Sequence, residues 1–273
     1  MKKFDGIMIC TDLDGTLLSS ENVISKENLD AIEYFKANGG YFTFITGRVP
    51  ITAQSTYETI KPNIPFGCIN GGGIYDHREQ KYLWMVSLPE CVKEMLECVD
   101  REMPEMGIQI NTANGIYFCK NNDAMGWFRD ITGVPNLTCD YRTFDQPIAK
   151  IIFADFNEKN IEKLMDLLHS HPLADRFDFI RSEKTLYEIL PKGISKGTVM
   201  MKMTELLGID PEKTVAIGDY NNDIAMIKAA KLGVAVANAV PEAKAVADHI
   251  TVSNDEHAIA RVIYDIESGA LKI

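Results

Sequence analysis

The stretch GIMICTDLDGT, residues 6–16, decides the fold. Its uncharged part, Ile7 to Cys10, has the composition of a buried strand and runs directly into Asp12 and Asp14. Side chains two residues apart in an extended segment point to the same side, about 6.6 Å apart along the chain. Two like charges in that arrangement repel each other, so the stretch predicts a partner that neutralises them.

The bulk composition is that of a globular protein with a large core. The chain has 273 residues, of which 46% are hydrophobic and 25% charged. A net charge of -11 argues against nucleic acid or an anionic membrane as a partner, because both require a basic surface. No apolar run is long enough to cross a bilayer, and the start of the chain does not resemble a signal peptide.

The six cysteines are scattered, and none forms a C-x-x-C pair. In a chain of this length without a secretion signal, this favours six thiols in a reducing compartment. We therefore expect a cytoplasmic protein.

Short apolar runs alternate with amphipathic helical segments at both ends of the chain. Because the runs are continuously apolar, they are typical of parallel strands covered by helices on both faces. The spacing predicts an α/β fold, a Rossmann-like parallel sheet with helices on both faces. The predicted strands are residues 5–11, 41–45, 65–69, 214–218 and 232–236.

The middle of the chain has a different pattern. Two strand-like segments within residues 107–120 flank an Asn-Gly pair, which is a hairpin signal and indicates antiparallel pairing. We therefore expect an inserted α+β domain over residues 84–189, with a core formed by residues 1–83 and 190–273.

Polar residues follow each predicted core strand. Ligands bind beyond the carboxyl ends of parallel strands, so these residues are expected to converge at one edge of the sheet. Their oxygens favour magnesium, while a lysine and a hydroxyl at helix starts suit an anion. Metal and anion sites together point to phosphoryl transfer. The residues concerned are Asp12, Asp14, Thr46, Gly47, Arg48, Asn70, Lys196, Asp219, Asn222, Asp223 and Asn238.

Four segments in order resemble the motifs of the haloacid dehalogenase-like superfamily. They are DLDGTL at 12–17, FITGR at 44–48, SKG at 195–197 and GDYNND at 218–223. The segments EILPKGISKG and GVAVANA resemble its Cof-type sugar-phosphate phosphatase branch. The resemblance implies a magnesium-dependent phosphatase for small phosphorylated metabolites, with the inserted domain as an α/β cap that sets specificity.

The resemblance also implies roles for single residues. Asp12 is expected to be the nucleophile that forms an aspartyl-phosphate, and Asp14 the general acid and base. Magnesium is expected on the Asp12 carboxylate, the Asp14 carbonyl and Asp219, with Asp223 acting indirectly. The phosphate-binding residues implied are Leu13, Thr46, Gly47, Lys196 and Asn222.

Some alternatives stay open at the level of sequence. A phosphomutase of the phosphomannomutase type shares the same motifs, and a non-catalytic metabolite sensor on this fold is the third possibility.

Arg48 can pair with an acid of the site or simply lie on the helix, and Asn70 can be an ordinary turn residue. In the cap, Trp127, Tyr187 and Arg181 are candidates for substrate contacts. Many members of the branch have glycine where this chain has His257.

Overall fold

The structure is a computed structural model that describes residues 2–273. The chain forms two compact units. One unit, the core unit, contains the residues up to Trp84 together with Ser195–Ile273, and the other, the inserted unit, contains Met85–Ile194. Among the described residues, no helix has both the length and the apolar character needed to span a bilayer.

The strands and helices alternate through both ends of the chain. The strands are β1 (Met8–Thr11), β2 (Tyr41–Phe44), β3 (Phe66–Cys68), β4 (Gly73–Asp76), β5 (Lys81–Met85), β6 (Gly107–Asn111), β7 (Ile116–Lys120), β8 (Leu137–Thr138), β9 (Lys150–Ala154), β10 (Phe177–Glu183), β11 (Leu186–Pro191), β12 (Thr214–Gly218), β13 (Leu232–Ala235) and β14 (His249–Ile250). The helices are α1 (Lys26–Ala37), α2 (Gln54–Ile60), α3 (Val92–Glu102), α4 (Asp123–Thr132), α5 (Glu158–His169), α6 (Lys196–Leu207), α7 (Ile224–Ala229), α8 (Pro241–Val246) and α9 (Ala258–Ser268).

The core unit is built on a five-stranded sheet in the order β14-β13-β12-β1-β2. The pairings in this sheet are parallel, and Met8 on β1 aligns with Thr214 on β12 and with Tyr41 on β2. Strand β1 therefore lies between β12 and β2. Because the strands run in the same direction, the residues that follow β1, β2 and β12 emerge at the same edge.

Helices cover both faces of this sheet, as the continuous apolar runs predict. Met8 and Cys10 of β1 belong to one cluster with Val199 and Met203 of α6 and Met226 of α7. Helices α1 and α9 pack against each other, and α1 also contacts β2. The α/β fold with a parallel sheet core is confirmed.

The prediction for residues 65–69 is only partly right. Strand β3 makes a single parallel bridge to the core sheet, between Ile45 and Gly67, and otherwise pairs antiparallel with β4. The chain reverses directly after β3 because Ile69, Asn70 and Gly71 have positive φ angles of 58°, 52° and 102°. A β-branched residue such as isoleucine rarely adopts this conformation, so the reversal carries no strong sequence signal.

The inserted unit contains a six-stranded sheet in the order β10-β11-β9-β6-β7-β8. The predicted hairpin is present: β6 and β7 are antiparallel, and the Thr112 N–H donates to the Gly115 carbonyl at 2.9 Å across the turn. One face of the sheet is apolar and packs against α3 and α5. Its residues share a core cluster with Leu96 and Leu164 and include Ile108, Ile110, Ile151, Phe153, Tyr187 and Ile189.

The expectation of six thiols is wrong for two of the cysteines. Cys119 and Cys139 are joined by a disulfide, with their Cα atoms 4.8 Å apart. The reason is the register of the short strand β8, which runs parallel to β7 and aligns Thr138 with Phe118. Cys119 and Cys139 each come directly after a residue of this aligned pair, so two cysteines 20 residues apart in sequence become adjacent in space.

Candidate active site

Asp12 is fixed at the end of β1 by its backbone and by a buried lysine. Its N–H donates to the Ile217 carbonyl on β12 at 2.9 Å, and its side chain is buried. The Lys196 ammonium lies 2.6 Å from Asp12 Oδ1. Lys196 begins α6 and is 1% exposed. Gly197 permits this position, since a Cβ there would lie 2.3 Å from the Ala225 carbonyl oxygen of α7.

Asp223 uses both carboxylate oxygens inside the protein. Oδ1 accepts from Lys196 at 2.6 Å, and Oδ2 accepts from the N–H groups of Asp219 and Tyr220, each at 3.0 Å. The side chain is fully buried. With both oxygens engaged, Asp223 orients Lys196 and the backbone of the loop after β12.

Asp219 follows β12 and faces the turn that follows β1. Its Oδ1 accepts from the Thr16 hydroxyl at 2.7 Å. A Cβ on Gly15 would lie 2.6 Å from Asp219 Oδ2, and Gly15 has a φ of 79°. Glycine is therefore required here both for the turn and for the close approach. Carboxylate oxygens of Asp12, Asp219 and Asp223 lie within 4.8 Å of one another.

The cluster carries more negative charge than Lys196 can balance. Burial, and then the Asp223 charge, raises the pKa of Asp12 well above its usual range, although Lys196 acts against this. The same two causes raise the pKa of Asp219 to about 7. Burial lowers the pKa of Lys196, but Asp12 and Asp223 more than reverse this, so its pKa is raised. A hard divalent cation suits this set of carboxylate oxygens, because it offsets the remaining repulsion.

Asp14 lies outside the cluster of three carboxylates. Its side chain is 52% exposed and is paired with Arg48, which donates from Nε to Oδ2 at 2.9 Å and from Nη2 to Oδ1. The sequence left the role of Arg48 open, and the structure pairs it with an acid of the site. Asp14 nevertheless lies in the turn after β1, and its charge is one of those that raise the pKa of Asp12 and of Asp219.

Residues after β2 and β12 meet through Asn70. Thr46 is buried, and its carbonyl accepts from the Asn70 N–H at 3.0 Å. Asn70 Oδ1 accepts from Asn222 Nδ2 at 3.1 Å, and a Cβ on Gly47 would lie 2.9 Å from the same oxygen. Asn70 thus joins Thr46, Gly47 and Asn222 into one wall, and it also lies in the turn after β3 with a φ of 52°.

Two further residues hold the turn after β1. Leu13 is buried in this turn, and its carbonyl accepts from the Leu18 N–H at 2.8 Å. Asn238, which follows β13, donates from Nδ2 to the Gly15 carbonyl at 2.8 Å. Sequence reasoning missed Thr16, although a hydroxyl directly after the glycine of DLDGT is a candidate hydrogen-bond donor to a neighbouring carboxylate.

The three candidates in the inserted unit are not brought together. Tyr187 is buried in the apolar core, where its hydroxyl lies 2.8 Å from His169 Nε2. Arg181 pairs with Glu158 at 3.3 Å. Trp127 is 51% exposed on α4. Tyr187 is therefore a core residue, Arg181 is partly buried, and Trp127 lies on the surface.

Comparison with known proteins agrees with this geometry. The profile of the haloacid dehalogenase-like hydrolases matches residues 9–263. The chain is 30% identical over 257 residues to the 5-amino-6-(5-phospho-D-ribitylamino)uracil phosphatase YcsE of Bacillus subtilis, covering 94% of each chain. It is 28% identical over 270 residues to the chloroplastic endoribonuclease YBEY of Arabidopsis thaliana, but spans only 46% of that longer protein.

A solved structure shows the same architecture. It is a haloacid dehalogenase-like hydrolase from Bacteroides thetaiotaomicron, which superposes with a TM-score of 0.83 at 25% identity. The match covers 95% of this chain and 99% of that one. The family profile spans nearly the whole chain, and the four sequence motifs fall within it. The chain belongs to the haloacid dehalogenase-like hydrolase family.

Proposed function

We propose that this protein hydrolyses phosphate monoesters of small metabolites in a magnesium-dependent reaction that passes through an aspartyl-phosphate on Asp12. One observation carries the proposal. A buried carboxylate at the end of β1 is held by a buried lysine, next to two further carboxylates within 4.8 Å. This arrangement suits a nucleophile aimed at an anionic phosphoryl group.

The residues present fit a magnesium ion. We propose the Asp12 carboxylate, the Asp14 carbonyl and the Asp219 carboxylate as ligands, with Asp223 orienting Lys196 and the backbone of the loop after β12. The raised pKa values of Asp12 and Asp219 support a cation here, because both carboxylates lack sufficient positive charge around them. When bound, the ion neutralises charge on the phosphoryl oxygens.

The reaction then has two steps. In the first, an Asp12 oxygen bonds to phosphorus while the bond from phosphorus to the ester oxygen breaks, and Asp14 gives that oxygen a proton. In the second, Asp14 takes a proton from water, whose oxygen attacks phosphorus and displaces the Asp12 carboxylate. The products are an alcohol and inorganic phosphate, and both aspartates return to their starting state.

Five residues are proposed to hold the phosphoryl oxygens: Leu13 and Gly47 through their N–H groups, Thr46 through its hydroxyl, Asn222 through its amide and Lys196 through its charge. The hydrogen bond from Asn222 to Asn70, and the position of Asn70 against Gly47, support a common wall for this purpose. Positioning and neutralisation of charge supply most of the catalysis in phosphoryl transfer.

The substrate class is proposed to be phosphorylated sugars and related polyols, selected by the inserted unit as an α/β cap. The name of the Bacillus subtilis relative YcsE describes a phosphate ester of a ribityl chain. That compound therefore belongs in a substrate panel beside the hexose and pentose phosphates. The net charge of -11 does not suit nucleic acid as a partner, because nucleic acid requires a basic surface.

The proposed location is the cytoplasm. Four cysteines remain thiols, which suits a reducing compartment, whereas the disulfide between Cys119 and Cys139 does not. Titration of thiols in freshly isolated, denatured protein distinguishes the two cases, since six reactive thiols mean that the bond is open in the cell.

The test is phosphate release from the panel, with magnesium and with EDTA. We expect magnesium-dependent turnover that Asp12→Asn abolishes, while Asp30→Asn on the exposed face of α1 leaves it unchanged. An acid-quenched reaction with labelled substrate should leave label on the parent protein and none on Asp12→Asn. Undiminished turnover in Asp12→Asn would contradict the assignment of the nucleophile.

The panel also decides between the alternatives. Turnover that requires a hexose bisphosphate activator indicates a phosphomutase, because a mutase must keep its phosphoenzyme from water. Hydrolysis of no ester at all indicates a non-catalytic sensor.

A further inference from the structure

The pairing of Arg48 with Asp14 links two segments that are 34 residues apart in sequence. The guanidinium donates from both Nε and Nη2, and each carboxylate oxygen accepts one of these bonds. Such a two-bond pairing fixes the plane of the carboxylate as well as its position. Lysine cannot reproduce it, because an ammonium is a point charge without a planar fork.

Arg48 is itself held at several points. Its backbone N–H donates to the Thr46 hydroxyl at 3.2 Å, and its carbonyl accepts from the Ile69 N–H at 3.0 Å. Its Nη1 donates to the Thr52 carbonyl at 3.4 Å. The side chain is 29% exposed. Arg48 is therefore held in place in the loop after β2, and it holds the Asp14 carboxylate in place in turn.

Stability does not explain this pair. Ion pairs with solvent-exposed partners contribute about 0–1 kcal/mol to folding, and the Asp14 side chain is 52% exposed. Asp12, Asp219 and Asp223 are oriented by buried partners. The Asp14 side chain is half-exposed, and without a partner it would sample several rotamers. Sampling of several rotamers lowers the efficiency of a residue that must deliver a proton at a defined point.

We propose that Arg48 is the positioning residue for Asp14, and that it orients this carboxylate for proton transfer to the leaving oxygen. The inference rests on the proposed function. Arg48 acts through Asp14 and is given no contact with the phosphoryl group.

The consequence is a dependence on the leaving group. An alkoxide from a sugar phosphate is a poor leaving group and needs the proton from Asp14. A nitrophenolate is a stable anion that departs without protonation. Loss of Arg48 should therefore lower kcat/KM, which reports the steps up to formation of the phosphoenzyme, much more for a hexose phosphate than for p-nitrophenyl phosphate. A lost phosphate contact or general unfolding lowers it equally for both.

The experiment compares Arg48→Met, Arg48→Lys and Asp14→Asn on these two substrates. Arg261→Met is the matched control, since Arg261 forms an exposed pair with Asp265 on α9 at 2.7 Å. We expect Arg48→Met to lower kcat/KM for the hexose phosphate about 10- to 100-fold, which is part of the roughly 100- to 10,000-fold that general acid catalysis contributes. Its kcat/KM for p-nitrophenyl phosphate should fall no more than about threefold, because this leaving group needs no proton.

Further measurements separate the possible failures. Arg48→Lys should recover little, guanidinium ion should partly rescue Arg48→Met, and adding Arg48→Met to Asp14→Asn should cause little further loss. Equal losses on the two substrates, or none on either, overturn the inference. If Asp14→Asn lowers the rate equally for the two substrates, the proposed role of Asp14 in protonating the leaving group is wrong, and the inference about Arg48 is wrong with it. If the parent protein hydrolyses neither ester, the proposed function itself fails.

Discussion

Replacing Lys196 with methionine should destabilise the core unit strongly when no metal ion is present. The ammonium lies 2.6 Å from an oxygen of Asp12 and 2.6 Å from an oxygen of Asp223, and all three side chains are buried. At 4 Å and an effective dielectric constant of 20, each attraction is about 4 kcal/mol before the cost of dehydration is subtracted. Breaking a buried pair by removing one partner costs about 3–5 kcal/mol in free energy of unfolding.

The two tryptophans allow this loss to be located. Trp84 lies in the core unit and Trp127 in the inserted unit. In a Trp127→Phe background, urea unfolding followed by fluorescence reports the core unit alone. The measurement is made in EDTA at pH 7 to 8, with Lys202→Met as the matched control, because Lys202 is on the same helix and forms an exposed pair with Glu205. We expect the control to differ by at most about 0.5 kcal/mol.

The effect should also depend on pH and on Asp223. Without the lysine, burial keeps the pKa of Asp12 raised in the folded protein, so the loss is small at low pH, where Asp12 is protonated, and grows as the pH rises toward that raised pKa. Adding Asp223→Asn to Lys196→Met should restore at least half of the lost free energy. The reasoning is refuted if Lys196→Met unfolds at the parental urea concentration, or if Asp223→Asn restores nothing.

Three further substitutions test other parts of the structure. A hydrogen bond from Lys120, with other partners, lowers the pKa of Asp100 to about 2, so the inserted unit should lose about 1 kcal/mol of stability as the pH falls from 4 to 2; Asp100→Asn should abolish that loss in acid titrations followed by the tryptophan of that unit. His257 has a φ of 60°, and His257→Gly should raise the free energy of unfolding by about 0.5–1 kcal/mol in urea titrations. A Cβ at Gly197 would lie 2.3 Å from the Ala225 carbonyl oxygen, so Gly197→Ala should cost about 1–3 kcal/mol in the same assay and lower kcat by moving α6.

The sequence predicted the parts of the structure that depend on pattern. A continuous apolar run places β1 inside the sheet, and the carboxyl ends of parallel strands bring Asp12 and Asp219 to one edge. The Asn-Gly turn of β6 and β7 follows from local backbone preference. The glycine that many members of the branch have at position 257 also has a local reason, since this position has a positive φ that glycine adopts without strain.

Other features depend on contacts that no local pattern encodes. The antiparallel course after β3 arises from a left-handed turn that includes Ile69, a residue type that argues against such a turn. Asp14 turns toward Arg48 because of a pairing across 34 residues. The disulfide between Cys119 and Cys139 depends on the register of a two-residue strand, β8. None of these three features can be predicted without the three-dimensional structure.

The start of α6 has a consequence for how the protein tolerates change in its inserted unit. That unit ends at Ile194, and the helix cap Ser195 comes next, followed at once by Lys196. The Ser195 N–H donates to the Thr198 hydroxyl at 2.8 Å, and the Ser195 hydroxyl accepts from the Thr198 N–H at 3.1 Å. A Cβ on Gly71 would lie 2.1 Å from the Ser195 carbonyl oxygen, so the backbone of Gly71 also packs closely against Ser195. Contacts within the core unit therefore fix the start of α6. A different domain could replace residues 85–194 while Lys196 keeps its position.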